Sequence, residues 1–104
     1  PDLTAVVCTT DTQAIAVLEY AKENGIRVPE DLSITGFDGI ERALFHKLTT
    51  VIQPNRQKGI AVGRALAEEL EAAREDSGRA PRVLLETEFV VGSTTAAPSA
   101  PSAG

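Results

Sequence analysis

Asp11, Asp38 and Asn55 are the residues best placed for chemistry, because each follows a stretch that reads as a strand. Asp11 comes after residues 5–9, Asp38 after 32–37 and Asn55 after 48–53. In an open α/β sheet, ligands sit outside the carboxyl ends of the strands, where side chains from consecutive strands converge on one cleft. Carboxylate and amide acceptors suit a neutral ligand rich in hydroxyl or N–H donors, such as a small polyol or sugar. A hydrogen bond to a charged group contributes about 1.5–3 kcal/mol net, so two or three would orient such a molecule. Each residue also has a plainer role open to it. Asp11 can be a first-turn charge on a helix dipole, Asn55 a helix N-cap, and Asp38 a turn residue between Phe37 and Gly39.

Other chemistries find less support. No strand ends in a Gly-rich phosphate loop, and no G-x-G-x-x-G occurs. Cys8 lies inside a strand and reads as a small buried hydrophobe with nothing beside it to activate the thiol. His46 is the single histidine; no Ser or Cys nucleophile stands near it in sequence, so it reads as a surface residue, as do Arg27 and Lys47. The absence of a histidine–cysteine cluster argues against a metal site, and no cofactor is implied. An enzyme or receiver-like module using Asp11 and Asp38 as an acidic pair would need a divalent metal and further acceptors. The expectation is a binding segment, not an enzyme.

The elements that must position these residues follow from periodicity and punctuation. Residues 5–9 form a short apolar, β-branched strand. Thr10-Asp11-Thr12-Gln13 is a capping box, with Thr10 as N-cap and Gln13 reaching back. A helix over 12–24 follows, with Ala14, Ile15, Leu18 and Ala21 at helical spacing and Gly25 in the left-handed position that ends it. Val28-Pro29-Glu30-Asp31 is turn chemistry. Strand 32–37 contains Gly36, which lets something approach its backbone closely, and Gly39 marks the exit. A short helix over 41–46, a strand over 48–53 stopped by Pro54, and a helix from Asn55 to about Arg74 come next. In that helix Gly59, Gly63, Leu66, Leu70 and Ala73 share a stripe. Each glycine costs about 1 kcal/mol against alanine, so the spacing predicts close packing there. Residues 75–81 form a polar turn, and alternation over 83–91 predicts a last strand. Residues 97–104, Ala-Pro-Ser-Ala-Pro-Ser-Ala-Gly, cannot build a core and read as a disordered tail. Strands alternating with helices predict a parallel, doubly wound α/β sheet.

Composition bounds the rest. The 104 residues fit one domain or part of one. Ten Lys and Arg against 15 Asp and Glu leave a net charge of −5, which argues against this stretch gripping a phosphate backbone. No run approaches the roughly 18 apolar residues of a membrane span. One cysteine excludes an internal disulfide and suits a reducing compartment. With no charged-then-apolar leader, the expected location is the cytoplasm. A start almost directly in a strand, with no Met anywhere, is expected of a piece of a longer chain.

These residues carry a resemblance. Thr10-Asp11-x-x-Ala14 is followed by Gly25-Ile26-Arg27-Val28-Pro29-Glu30-Asp31-Leu32-Ser33-Ile34-Thr35-Gly36-Phe37-Asp38. Leu48-Thr49-Thr50-Val51, Gln53-Pro54, Gly59 and the closing Ser93-Thr94-Thr95-Ala96-Ala97-Pro98 follow in order. Together, from about residue 3 to 98, they resemble the C-terminal part of the effector-binding domain of LacI/GalR-family transcriptional regulators. Transport-type periplasmic sugar-binding proteins share the Gly-Phe-Asp strand end but usually lack the other pieces together, and remain the alternative.

The resemblance implies part of a two-lobed fold of the periplasmic-binding-protein type. Residues 1–93 would be the C-terminal portion of the effector-binding and dimerisation domain, and 94–104 a closing segment and tail. Residues 1–52 would belong to the lobe far from DNA, while helix 55–74 and strand 83–91 cross to the near lobe. It implies a small, sugar-like effector between the lobes, a homodimer, no membrane, and operator DNA reached only through an N-terminal helix-turn-helix absent from this chain. By position, Asp38 is the foremost effector contact, with Asp11, Thr10 and Asn55 beside it. Thr10 stands where the family usually has Asn, so a bidentate amide contact is lost. Ile15, Leu18, Leu44 and Phe45 match positions near the far-lobe dimer interface, or serve as intramolecular core. The segment from Asp38 to Leu48 is shorter than usual, with His46-Lys47 in place of Pro-Pro, and Val91 stands where Arg is frequent. With the remaining sheet partners absent, apolar surface is left bare, so the chain is expected to self-associate and to bind effector weakly alone.

Overall fold

The computed structural model describes residues 3–75 and 82–98. All seven expected elements are present, in the expected order: β1 (Ala5–Val7), α1 (Asp11–Glu23), β2 (Ser33–Thr35), α2 (Glu41–Phe45), β3 (Thr50–Ile52), α3 (Asn55–Glu75) and β4 (Glu88–Val90). They fall into two units. The first comprises residues 1–53 and 88–104, and the second residues 54–87.

In the first unit β1 and β2 pair in parallel, with Ala5 opposite Ser33 and Val7 opposite Thr35. Parallel bridges from Thr35 to Thr49 and from Asp38 to Ile52 continue the array to β3. The expected all-parallel sheet is corrected at its last member, because β4 runs antiparallel to β3, with Thr50 opposite Val90 and Ile52 opposite Glu88. The parallel rule holds for a helix that packs back on its own sheet. The connecting helix α3 belongs to the second unit. The strand is also shorter than residues 83–91. Residues 82–87 are not strand, and β4 lies in the first unit rather than with α3.

Local chemistry explains the helix ends. Thr10 caps α1 from an extended backbone, its Oγ1 accepting the Gln13 N–H at 3.2 Å. Only half of the capping box forms, because the Gln13 side-chain oxygen accepts from the Thr9 hydroxyl at 2.9 Å. Gly25 ends the helix at φ +68°, and the Ile26 N–H reaches back to the Ala21 carbonyl at 2.9 Å. The α1 face that turns inward meets Ile34, Ala43 and Leu48 in a core that also holds Cys8 and Ala14. Burial pushes the Cys8 thiol pKa up, as suits a packing residue.

The closing segment is stitched to the sheet through hydroxyls. Ser93 N–H donates to the Lys47 carbonyl at 2.7 Å, and the Gly92 N–H donates to Thr49 Oγ1 at 3.0 Å. Thr94 is buried. Ala97 and Pro98 are exposed; the rest of the expected tail, like most of the polar turn at 75–81, lies outside the described residues.

In the second unit α3 and residues 83–85 border a concavity of about 480 Å³, lined by Ile60, Ala61, Ala65, Val83 and Leu85 among others. Asn55 does not cap α3. The Pro54 carbonyl accepts the Lys58 N–H at 2.8 Å, so Pro54 holds the cap position and Asn55 is the first helical residue. The close packing expected at Gly59 and Gly63 is not found among the described residues, where an added Cβ at either meets nothing within 4 Å.

Candidate functional site

The segments that follow β1 and β2 meet the start of β3 around the Asp11 carboxylate. Asp11 is fully buried, and its backbone N–H donates to the Phe37 carbonyl at 2.9 Å. Its Oδ2 accepts the backbone N–H groups of Gly39 at 2.7 Å and Ile40 at 2.9 Å. Its Oδ1 accepts the Thr50 hydroxyl at 2.6 Å. Gly36 makes room for this carboxylate: a Cβ there would overlap Asp11 Oδ1 and come within 2.7 Å of Leu48 Cδ2. The close approach expected at Gly36 is therefore made by Asp11. Both carboxylate oxygens of Asp11, expected as an effector contact, are committed internally to Gly39, Ile40 and Thr50.

Asp38 is different. Its backbone is tied into the sheet, its N–H donating to the Val51 carbonyl at 2.9 Å and its carbonyl accepting the Gln53 N–H at 2.8 Å. Its φ is +129°, a region that side-chain-bearing residues rarely occupy. The next residue, Gly39, has φ +76°, and a Cβ there would stand 2.6 Å from Ile52 Cγ1. The Asp38 side chain is half-buried, and no hydrogen bond or ion pair joins its carboxylate to another described residue. An acceptor held by its backbone and left open at its tip is what a ligand with hydroxyl donors requires.

Thr10, half-buried, spends a lone pair on the helix cap and keeps its hydroxyl proton. Asn55 is exposed and belongs to the second unit. Among the described residues no cluster of three or more His, Cys, Asp or Glu could hold a metal ion, and no helix is long and apolar enough to cross a membrane. Sequence reasoning did not single out Thr50 or the Gly39 and Ile40 amides. A threonine in a strand carries no local sign that it will serve a carboxylate 39 positions away.

The expected interface residues divide. Ile15 is buried within its own unit at 2 % exposure. Leu18 is half-buried against the core cluster. Leu44 and Phe45 are open, at 48 % and 82 % exposure. Arg42 of α2 reaches Glu19 of α1 at 3.7 Å, and the Phe45 and His46 rings meet edge-on with centroids 5.4 Å apart. Arg27 is not merely solvated; it grips Asp31 through its backbone N–H, Nε and Nη2.

A sheet whose strand ends gather around one buried carboxylate, with a second carboxylate left open beside it, can be compared with known proteins. A family described as periplasmic binding protein-like domain matches residues 1–95. The chain belongs to this family. The HTH-type transcriptional regulator IpsA of Corynebacterium glutamicum is 51% identical over 96 residues, covering 92% of this chain and 26% of the regulator. The crystal structure of a LacI-family transcriptional regulator from Corynebacterium glutamicum superposes with a TM-score of 0.74 at 51% identity, covering 92% of this chain and 27% of the other. The dimeric Lac repressor with an 11-residue C-terminal deletion superposes with a TM-score of 0.77 at 28% identity, covering 92% and 35%. Over this periplasmic binding protein-like segment the chain is similar to LacI-type regulators. It spans about a quarter of the length of the IpsA regulator.

Proposed function

We propose that this segment carries one wall of the effector site and part of the dimer interface of a LacI/GalR-type transcriptional regulator. The observation that supports it most is Asp38, a carboxylate fixed by its backbone at φ +129° and left without a side-chain partner among the described residues. Asp38 accepts hydroxyl hydrogens of a small sugar-like effector. The Thr10 hydroxyl adds a contact as the rest of the two-lobed, doubly wound domain closes the cleft. Leu44 and Phe45, with Leu18 behind them, meet a second copy of the chain. Operator DNA is bound by a helix-turn-helix elsewhere in the longer, cytoplasmic protein. No catalysis is involved. The effector shifts the population between lobe arrangements only by the difference in its affinity for them.

The test is a thermal-shift screen of aldoses, polyols and nucleosides on a full-length regulator carrying this segment, repeated with Asp38→Ala. A ligand at 100 times its dissociation constant adds about 2.7 kcal/mol of native stability. The reading expects a hit that disappears in the variant. A hit that survives Asp38→Ala moves the effector site elsewhere.

A further inference from the structure

We infer that Asp11 and Thr50 are positioning residues for the effector, acting through Asp38 rather than touching the effector themselves. The inference rests on the reading of Asp38 as the effector contact.

A residue in the conformation of Asp38 persists only when its surroundings over-determine it. Four restraints do so here. Two come from β3 and the residue after it, where the Val51 carbonyl and the Gln53 N–H clamp the Asp38 backbone. Two come from the Asp11 carboxylate, which gathers the Gly39 and Ile40 N–H groups onto one oxygen and so curls the chain directly after Asp38. Asp11 in turn is anchored by the hydroxyl of Thr50, the first residue of β3. One strand therefore supplies the backbone clamp on Asp38 and also anchors the side chain that shapes the following turn. Gly36 completes the device, because any side chain there would displace the carboxylate. A buried carboxylate meets three donors here, and a residue that served only as a first-turn charge of α1 would not need all of them.

The test needs no effector, so its failure is distinguishable from a failure of Asp38 to bind a sugar. The HN–Hα scalar coupling of Asp38 is small at φ +129° and large in an extended backbone. It is read by NMR in Thr50→Val, which removes the donor at constant shape, and in Thr50→Ser, which keeps it. Amide exchange is followed at Gly39 and Ile40, with Ile34 and Ala14 as core controls. The expected result in Thr50→Val is a larger Asp38 coupling and about tenfold faster exchange at Gly39 and Ile40, with unchanged controls and recovery in Thr50→Ser. If the Asp38 coupling stays as in the parent while Gly39 and Ile40 loosen, Asp11 serves the fold alone and the inference is overturned. Should Thr50→Val fail to fold, Asp11→Asn is read the same way: a moved Asp38 coupling with intact controls supports the inference, and an unmoved one overturns it.

Discussion

The Thr94 hydroxyl donates to the Ile34 carbonyl at 2.7 Å, joining the closing segment to the middle of β2 across 60 positions of sequence. The same oxygen accepts the Thr49 N–H at 3.0 Å, so one buried hydroxyl serves β2 and the residue just before β3. Thr94→Val keeps the shape and leaves a carbonyl and an N–H unpaired. The expected cost is about 1–3 kcal/mol, read as a lower urea midpoint, while Thr94→Ser stays close to the parent. Equal midpoints for the valine and serine variants would mean that the hydroxyl contributes nothing.

This closing segment shows where sequence reading stops. Its Ser, Thr and Ala residues have no apolar period, so pattern alone gives them no element, and only the family resemblance singled out Ser93-Thr94-Thr95-Ala96-Ala97-Pro98 as a closing segment. The elements with strong local signals were readable: the apolar strand before Thr10, the helical spacing of Ala14, Leu18 and Ala21, and the left-handed stop at Gly25. The direction of β4 was not, because alternation assigns a face and not a direction. Asp38 could be placed at a strand end from sequence. The partners of Asp11 could not, because Thr50 and Ile40 lie 39 and 29 positions away and neither has a local reason to serve a carboxylate.

Glycines separate into tight and open sites, with opposite expected outcomes. Gly36→Ala forces a methyl group against Asp11 Oδ1 and Leu48 Cδ2, and overpacking of this kind costs about 1–3 kcal/mol. Gly63→Ala meets open space in this chain and removes a poor helix former from α3, so helicity should rise, with a gain of up to about 1 kcal/mol. Circular dichroism with thermal melting checks both. A Gly36→Ala variant as stable as the parent would show that the Asp11 carboxylate does not sit against that glycine.

The Arg27–Asp31 pair gives a pH dependence of known sign. Hydrogen bonds from the Arg27 side chain and backbone hold the Asp31 carboxyl pKa below its ordinary value. The same side-chain bond raises that of Arg27. A depressed carboxyl pKa stabilises the fold above the unfolded-state pKa, and that stability is lost as the pH falls through the lower, folded-state pKa. Stability should therefore decline on acidification below about pH 4, and Asp31→Asn should flatten that part of the profile. Both side chains are exposed, so added salt should shrink the difference between parent and variant. Parallel acid profiles for parent and variant would remove the pair from the acid response.

Phe45 and Leu44 make α2 the place to test association of this chain. Phe45 is 82 % exposed, while Ala43 beside it is fully buried, so α2 is anchored on one side and bare on the other. Apolar surface yields about 25 cal/mol per Å² when covered, and a large aromatic near the centre of an interface costs about 2 kcal/mol or more when lost. Phe45→Glu should therefore weaken self-association by about thirtyfold, seen by sedimentation velocity across a concentration series. Leu66→Glu in α3, at another exposed apolar position, is the control and should leave the association constant near that of the parent if α2 carries the contact. The reverse pattern, with Leu66→Glu dissociating the chain and Phe45→Glu leaving it intact, would locate self-association on α3 and withdraw Leu44 and Phe45 from the interface.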